Sequence, residues 1–295
     1  MNRLFTFGCS YTQQVYPTWA DLLANSFEYD ENRGRAGMGN RGIFNRVNQA
    51  ILEKDINKDD TVVVQWSTPI REDRWLKQAN NASGDWISHG NIYNQQFYPK
   101  DWVKKYFDPF MGLMETVHYV YACQHLLNSL GCKWTMFWMS NPGETDIKSN
   151  WGEVHFSSTS FMKYHNGSIV TTPYSELCDP NNVLKTSLNK VNKHPNMIKQ
   201  DMQTYRNYIM SSKSLPQLLI DGNIDMHPNT LVHYYFVKEF IVPMLSINNF
   251  DETNVFALAE KWTEYTSSEH WKVGSDSQPN FTLTSKHRSF VETSY

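Results

Sequence analysis

The stretch FTFGCSYT, residues 5–12, predicts how the fold begins. Its apolar residues end in Gly8, Cys9 and Ser10, a pattern typical of a short buried strand that stops in a tight turn. Such a turn either connects two elements or presents Ser10 as a nucleophile at the edge of a sheet. The stretch alone does not separate these two interpretations, so the rest of the chain has to decide between them.

Composition excludes several classes of protein. The chain has 295 residues, a formal net charge of −3 and 40% hydrophobic residues, which allows one large domain or two modest ones. Mixed charges do not indicate a nucleic-acid surface, and neither a signal segment nor an apolar run of membrane-spanning length is found. Four dispersed cysteines favour neither a zinc site nor a disulfide framework. We expect a cytoplasmic or virion-associated protein with no nucleic-acid or membrane partner.

Strands and helices alternate outward from the first strand. The clearest strand is the β-branched run TVVVQW (61–66), and residues 132–139 and 216–221 predict two more. The longest predicted helix covers residues 109–130. This alternation favours an α/β protein, a three-layer α/β/α fold with a mostly parallel, flavodoxin-like central sheet. Ligand sites in such sheets lie beyond the carboxyl ends of the strands, where Ser10 would lie.

The same pattern predicts one domain over residues 1–245. Insertions are expected at about 76–108 and 140–200, and the first is rich in aromatic residues, as is typical of a surface cleft. Pro228 is expected to start the last helix of this domain. Residues 246–295 are polar with scattered aromatics, and they predict a C-terminal extension through which the protein could join an assembly.

One literal motif points to a nucleotide. Residues 37–42, GMGNRG, spell the G-x-G-x-x-G pattern of dinucleotide-binding loops. That site requires a buried strand directly before the glycines and an acidic residue further on. Residues 27–36, FEYDENRGRA, are charged and polar and predict no central strand there. We therefore reject the dinucleotide site, and we expect no cofactor and no metal ion.

A second constellation lies near the other end of the chain. In IDGNIDMHPN (220–229), Asp225 comes two residues before His227, which precedes Pro228. The residue before a proline is held extended, which can aim the imidazole back over the edge of the sheet. A serine that attacks an ester needs a neighbouring base and a carboxylate that orients it, and Ser10, His227 and Asp225 supply these types. The alternative is a capping histidine and a solvated turn aspartate.

Four motifs, in this order along residues 1–245, together resemble the SGNH (GDSL-type) hydrolases. They are FGCSYT (7–12), AGMGN (36–40), QWSTPIRE (65–72) and DMHPN (225–229).

The resemblance implies a serine hydrolase in which each motif has a role. It assigns the nucleophile and one oxyanion N–H to Ser10, and a second oxyanion N–H to Gly37. It assigns the general base to His227 and the orienting carboxylate to Asp225.

The sequence departs from the family pattern in three places. Cys9 stands where the first motif usually has aspartate, and we expect it to be a small buried side chain. The third motif lacks the asparagine whose amide completes the oxyanion hole, and Asn40 and Ser67 are the candidates to replace it. The aspartate lies two rather than three residues before the histidine, so Asp221 is an alternative to Asp225.

Tyr11 and Arg71 are the candidate substrate-binding residues. Arg71 opens a run of alternating charges, REDR (71–74), which is either a salt-bridged surface turn or a cleft wall that binds a polar or anionic group. Aromatic residues in and beside the first insertion would form either a wall for a sugar or the packing of the insertion. They are Trp75, Trp86, Tyr93, Phe97, Tyr98 and Trp102.

Two functions follow from these observations. The first is a serine esterase that removes a small acyl group, such as an acetyl group on a carbohydrate, by a Ser-His-Asp mechanism. The second is an SGNH-like scaffold with little or no catalysis, used for binding or as a component of a larger, for example viral, assembly. They differ in whether Ser10 and His227 lie within hydrogen-bond reach, near Gly37 and open to solvent.

Overall fold

The computed structural model describes residues 2–76, 85–92, 98–142, 160–165, 168–173, 183–220 and 222–268. The strands are β1 (Arg3–Phe7), β2 (Tyr29–Asn32), β3 (Asp60–Trp66), β4 (Arg71–Leu76), β5 (Asp85–Asn91), β6 (Lys133–Trp138), β7 (Ser160–His165), β8 (Ser168–Pro173), β9 (Leu218–Ile220) and β10 (Asn223–Asp225). The helices are α1 (Trp19–Ala24), α2 (Asn40–Lys54), α3 (Lys100–Tyr106), α4 (Pro109–Leu130), α5 (Val183–Asn192), α6 (Met202–Ser212), α7 (Thr230–Phe236), a π-helical turn (Val237–Ile241), α8 (Val242–Leu245) and α9 (Glu252–Thr266).

Four parallel strands form the central sheet in the order β2-β1-β3-β6. Every residue of β3 is buried, because helices cover both faces of the sheet. Val62, Val64 and Trp66 pack with α2, α4 and α5, whereas Val63 packs with α1, α6 and α7. This alternation follows from the two-residue period of a strand. The predicted three-layer α/β/α fold is confirmed.

The longest helix has the bounds that the sequence predicts. The Asp108 side chain accepts the Phe110 N–H at 2.8 Å, which caps the start of α4, and proline occupies its first turn. Gly131 ends the helix in the left-handed conformation, with φ 68°. These signals are local to the chain, so the sequence places both ends correctly.

The prediction of no central strand before the glycine motif holds, but residues 29–32 form an edge strand, β2, that the sequence does not predict. Its buried Glu31 is neutralised by Arg33 at 2.5 Å and Lys54 at 3.2 Å, and it accepts the hydroxyl of Tyr29. An edge strand with ion-paired side chains needs no apolar run. The sequence pattern therefore misses it.

The predicted strand at 216–221 forms, but outside the central sheet. β9 pairs with β10 as a two-stranded antiparallel hairpin, whose turn contains Gly222 at φ 77°. The position beside β6 is instead taken by a short extended segment around Met197, which pairs in parallel with Met136. A single bridge leaves no sequence pattern long enough to predict.

The beginning of the predicted C-terminal extension packs on the domain. Val255 and Ala259 of α9 are buried against Leu22 of α1 and Leu231 of α7. The Leu231 N–H donates to the hydroxyl of Thr263 at 2.9 Å, so α9 also caps the start of α7. That start is two residues later than Pro228, after the N-cap Asn229. Residues 269–295 lie outside the described part of the chain.

Antiparallel strand pairs occur at both predicted insertions. β4, which precedes the first insertion, pairs with β5 inside it, and the insertion continues into α3. β7 pairs with β8 inside the second insertion, before α5. Within the described ranges, no helix is both long and apolar enough to cross a membrane.

His233 lies fully buried in α7, and burial lowers its pKa to about 3. Neither ring nitrogen makes a hydrogen bond to a described residue. The unfolded state therefore binds more protons than the folded state between about pH 6.5 and 3, and the free energy of unfolding falls as the pH falls through this window.

We expect His233→Leu to remove this pH dependence. Relative to the variant, the wild type should lose about 2 kcal/mol of unfolding free energy between pH 7 and pH 5. Urea unfolding of both proteins at the two pH values measures the difference. An equal pH dependence in the two proteins would contradict the prediction.

Candidate active site

The turn after β1 is packed against the neighbouring strand. The hydroxyl of Thr12 donates to Oε1 of Gln65 in β3 at 2.8 Å, and the Thr12 N–H donates to the Cys9 carbonyl at 2.9 Å. A Cβ atom on Gly8 would lie 2.0 Å from Oγ1 of Thr12 and 2.8 Å from Oε1 of Gln65. Only glycine fits at this position, and the turn is thereby held close to the end of the sheet.

Two further segments hold the same turn. The Thr12 carbonyl accepts Nδ2 of Asn32 at 2.8 Å and the hydroxyl of Thr18 at 2.6 Å. The Arg35 N–H donates to the Gly8 carbonyl at 3.1 Å, which places the loop after β2 against the turn. The backbone around Ser10 is thus fixed by β2, β3 and the start of α1.

His227 approaches this turn from the other end of the chain. It follows the β9–β10 hairpin, and the next helix is capped by Asn229, whose side chain accepts the Val232 N–H at 3.0 Å and donates to the Pro216 carbonyl at 2.9 Å. Nε2 of His227 lies 2.8 Å from Oγ of Ser10, although the two residues are 217 positions apart.

Asp225 completes a chain of three side chains. Its Oδ1 lies 2.5 Å from Nδ1 of His227 and also accepts the His227 backbone N–H at 2.7 Å. Burial raises the pKa of Asp225, but the hydrogen bonds and charge of His227 outweigh burial and hold it below its ordinary value. With Nδ1–H donated to this carboxylate, Nε2 is free to accept the proton of Ser10. Asp221 lies outside the described residues.

Tyr11 supports the imidazole. Its ring meets the ring of His227 edge to face at 5.2 Å, it is only 6% exposed, and its hydroxyl donates to Gln203 of α6. Burial raises its pKa. The side chain predicted to bind substrate is therefore engaged in packing the candidate base.

Arg206, also in α6, holds the loop that carries His227. It is 3% exposed and donates through Nε to the His227 carbonyl at 3.3 Å, and through its other nitrogens to Asn207 at 3.2 Å and Gln217 at 3.4 Å. Its positive charge contributes to the low pKa of Asp225. Sequence analysis missed Arg206 because no local pattern marks an arginine that acts on a distant loop.

The backbone N–H groups of Ser10 and Gly37 make no hydrogen bond to any described residue. Gly37 has φ 76°, a left-handed conformation that favours glycine. Neither group is therefore engaged by another described residue, and their role as oxyanion donors stays a prediction.

Asn40 and Ser67, the two side chains proposed to replace the missing amide, differ in whether they are already hydrogen-bonded. Both hydrogens of Asn40 Nδ2 are engaged, by the Ser67 carbonyl at 3.1 Å and Oγ1 of Thr116 at 3.0 Å, and Oδ1 accepts the Ser67 N–H at 2.7 Å. Asn40 therefore ties α2 to the end of β3 and has no hydrogen left for an oxyanion, which corrects that prediction. The Ser67 hydroxyl is buried and makes no hydrogen bond within the described ranges.

The glycine motif is explained by Asp73. Its carboxylate accepts the Gly39 N–H at 2.9 Å and the Gly42 N–H at 2.7 Å, so a side chain occupies the start of α2. A Cβ atom on Gly39 would lie 2.8 Å from both the Arg71 carbonyl and the Asp73 carboxylate. Because Gly39 and Gly42 have no side chains, β4 can pack against the start of α2. In a dinucleotide site the phosphates would lie at this helix start.

Arg71 and Cys9 have clear positions. Nη1 of Arg71 donates to the Met38 carbonyl at 3.2 Å, and its charge acts on the Tyr11 hydroxyl, so Arg71 lies beside the candidate site. Cys9 is fully buried against Gln65 and Met139, as expected for a small packing side chain.

No group of three His, Cys, Asp or Glu side chains in the described ranges could hold a metal ion.

The fold and these contacts define an α/β/α protein with a hydrogen-bonded serine, histidine and aspartate at the carboxyl end of β1. No family model matches the sequence, and no curated protein is similar to it. Among solved structures, the chain is similar to the crystal structure of protein YxiM from Bacillus subtilis, at 13% identity and a TM-score of 0.40. The match covers 90% of this chain and 56% of that one, so the chain spans little more than half of its length.

The proton between His227 and Asp225 can be observed directly. A charge-assisted hydrogen bond of 2.5 Å should give a far-downfield proton resonance for Nδ1–H. We expect this NMR signal to disappear in Asp225→Ala and in His227→Gln, and to persist in Ser10→Ala. The matched control is His118→Gln, since His118 is exposed on α4. A signal that survives Asp225→Ala would show that another group holds the imidazole.

Proposed function

We propose that the protein is a serine ester hydrolase of the SGNH type that removes small acyl groups. The observation that carries the proposal is the continuous chain from Ser10 Oγ to His227 Nε2, 2.8 Å, and from His227 Nδ1 to Asp225 Oδ1, 2.5 Å. Nucleophile, base and orienting carboxylate stand in the order that acyl transfer requires. The order of the four motifs along the chain supports the same family.

In the proposed mechanism, Ser10 Oγ attacks the ester carbonyl while His227 Nε2 takes the hydroxyl proton. Asp225 stabilises the imidazolium and keeps the ring in the tautomer that presents Nε2 to serine. The imidazolium then gives its proton to the departing alcohol, and the acyl group remains on Ser10. Water, deprotonated by the same nitrogen, releases the acid and restores the serine.

The negative charge on the carbonyl oxygen would be received by the N–H groups of Ser10 and Gly37. The Ser67 hydroxyl is the remaining candidate for a third donor, because the Asn40 amide is engaged elsewhere. Removing one such donor costs on the order of 10²–10³ in turnover in other enzymes. A two-donor site would therefore turn over slowly unless the ester is reactive.

Restricted access supports a small acyl group. Ser10 is 4% exposed and Tyr11, which follows it, is 6% exposed, so little space adjoins the nucleophile. The low exposure of Ser10 favours the alternative of a scaffold without catalysis, whereas the hydrogen bond between Ser10 and His227 favours the esterase. Assembly through the C-terminal extension stays a prediction.

A fluorophosphonate probe tests the proposal, because it reacts with serines that a neighbouring base activates. We expect the wild type to be labelled, and Ser10→Ala and His227→Ala not to be. Hydrolysis of p-nitrophenyl acetate should fall by at least about 10³-fold in both variants.

Two variants control for non-specific reaction. Cys9→Ala should keep its labelling, which would show that the probe reacts with Ser10 and not with the adjacent thiol. Ser129→Ala removes an exposed serine of α4 and should also keep its labelling. Circular dichroism of each variant checks the fold. A folded wild type that neither labels nor hydrolyses the ester would refute the esterase proposal.

A further inference from the structure

A cavity of about 260 Å³ lies between α2, β4, α3 and the start of α4. It does not contain Ser10 or His227, but Asn40 and Arg71 belong to its walls. Its volume is just below the roughly 300–1,000 Å³ of pockets that take drug-sized ligands. One ring-sized group would therefore fill it.

The polar wall of this cavity consists of arginines and glutamates that already pair. Arg41 lies 3.6 Å from Glu72 and 3.5 Å from Glu115, and Arg74 lies 3.3 Å from Glu72. Donor and acceptor groups thus stand side by side, with their charges compensated. A phosphate would meet two carboxylates here, whereas a hydroxyl group both donates and accepts and suits such a wall.

The other wall is aromatic. The rings of Trp102 and Tyr106 are 5.5 Å apart, and the guanidinium of Arg74 lies 4.6 Å above Trp102. Tyr106 is 61% exposed and Met111, on the same rim, is 51% exposed. Large exposed apolar side chains that adjoin a cavity mark a binding surface.

Arg71 joins the cavity to the candidate active site. It lines the cavity, and its charge also acts on Tyr11, next to Ser10. Within the described part of the chain Arg71 makes no ion pair, in contrast to Arg41 and Arg74. Of the three arginines that line the cavity, Arg71 is therefore the one whose charge no described carboxylate pairs, and a ligand in the cavity would contact it.

We propose that this cavity binds a pyranose ring, which stacks on the aromatic wall and hydrogen-bonds through its hydroxyls to the paired Arg41, Glu72 and Glu115. The apolar face of a pyranose suits an aromatic ring, and its hydroxyls suit adjacent donors and acceptors. The role of the sugar as the alcohol part of an ester substrate rests on the proposed function. The binding of the sugar to the cavity does not rest on it.

Saturation-transfer NMR titrations of the full chain test the site with three probes, the methyl glycosides of glucose, N-acetylglucosamine and glucuronic acid. We expect at least one to bind. Tyr106→Ala should raise its dissociation constant about three- to ten-fold, the loss of one stacking contact, and Glu115→Gln should weaken binding by removing an acceptor. Each ring has a cation over it, Arg74 over Trp102 and Lys105 over Tyr106, and Tyr106 is chosen because it is the more exposed of the two aromatic residues.

The matched control is Tyr208→Ala, which removes a tyrosine 65% exposed on α6 and should leave binding unchanged. Adenosine and inorganic phosphate serve as competing ligand classes. The proposal is overturned if none of the glycosides binds, if only adenosine or phosphate binds, or if neither Tyr106→Ala nor Glu115→Gln weakens glycoside binding.

Fluorophosphonate labelling of the same proteins separates the two proposals. Glycoside binding that depends on Tyr106, in a protein whose Ser10 does not label, supports the sugar site and refutes only the esterase. Labelling at Ser10 without any glycoside binding refutes only the sugar site.

Discussion

The contact between the Thr12 hydroxyl and Gln65 holds the turn that carries Ser10 onto the end of the central sheet. It requires glycine at position 8, because a Cβ atom there would overlap both partners. Asn32 and Thr18 bind the Thr12 carbonyl, so the neighbouring elements lock the same turn. A buried polar network of this kind is rigid when every member has a partner. The reactive geometry that we propose depends on that rigidity.

The histidine side of the site depends on a different layer. His227 stands on a loop held by Arg206 and Tyr11, the second of which is anchored in turn by Gln203. The helix after the loop is capped by its own Asn229 and by Thr263 of α9. The position of the base relative to Ser10 is thus a property of how α6, α7 and α9 pack on the sheet.

Asp73 links the loop around Gly37 with the proposed sugar cavity. By accepting two N–H groups of α2, it fixes the helix start that follows Gly37 and brings β4 beside it. Arg71, two residues earlier, lines the cavity and donates to the carbonyl of Met38, the residue after Gly37. The close approach explains the glycines at 39 and 42 without a nucleotide. A motif that suggests one function in sequence is here a packing requirement.

The sequence by itself determined the alternation of strands and helices and the ends of α4. It named Ser10, His227 and Asp225 as candidates, and it left open both Asp221 as the carboxylate and a capping role for His227. Those features depend on residues adjacent in the chain: apolar periodicity, capping residues, and a histidine before a proline. Only the tertiary structure decided that residues 29–32 form an edge strand, that β9 leaves the sheet and that Asn40 is engaged. It alone revealed Gln65, Gln203 and Arg206 as supports of the site. Their roles arise from polar partners far apart in sequence, because a buried polar group must pair with whatever segment the fold packs against it.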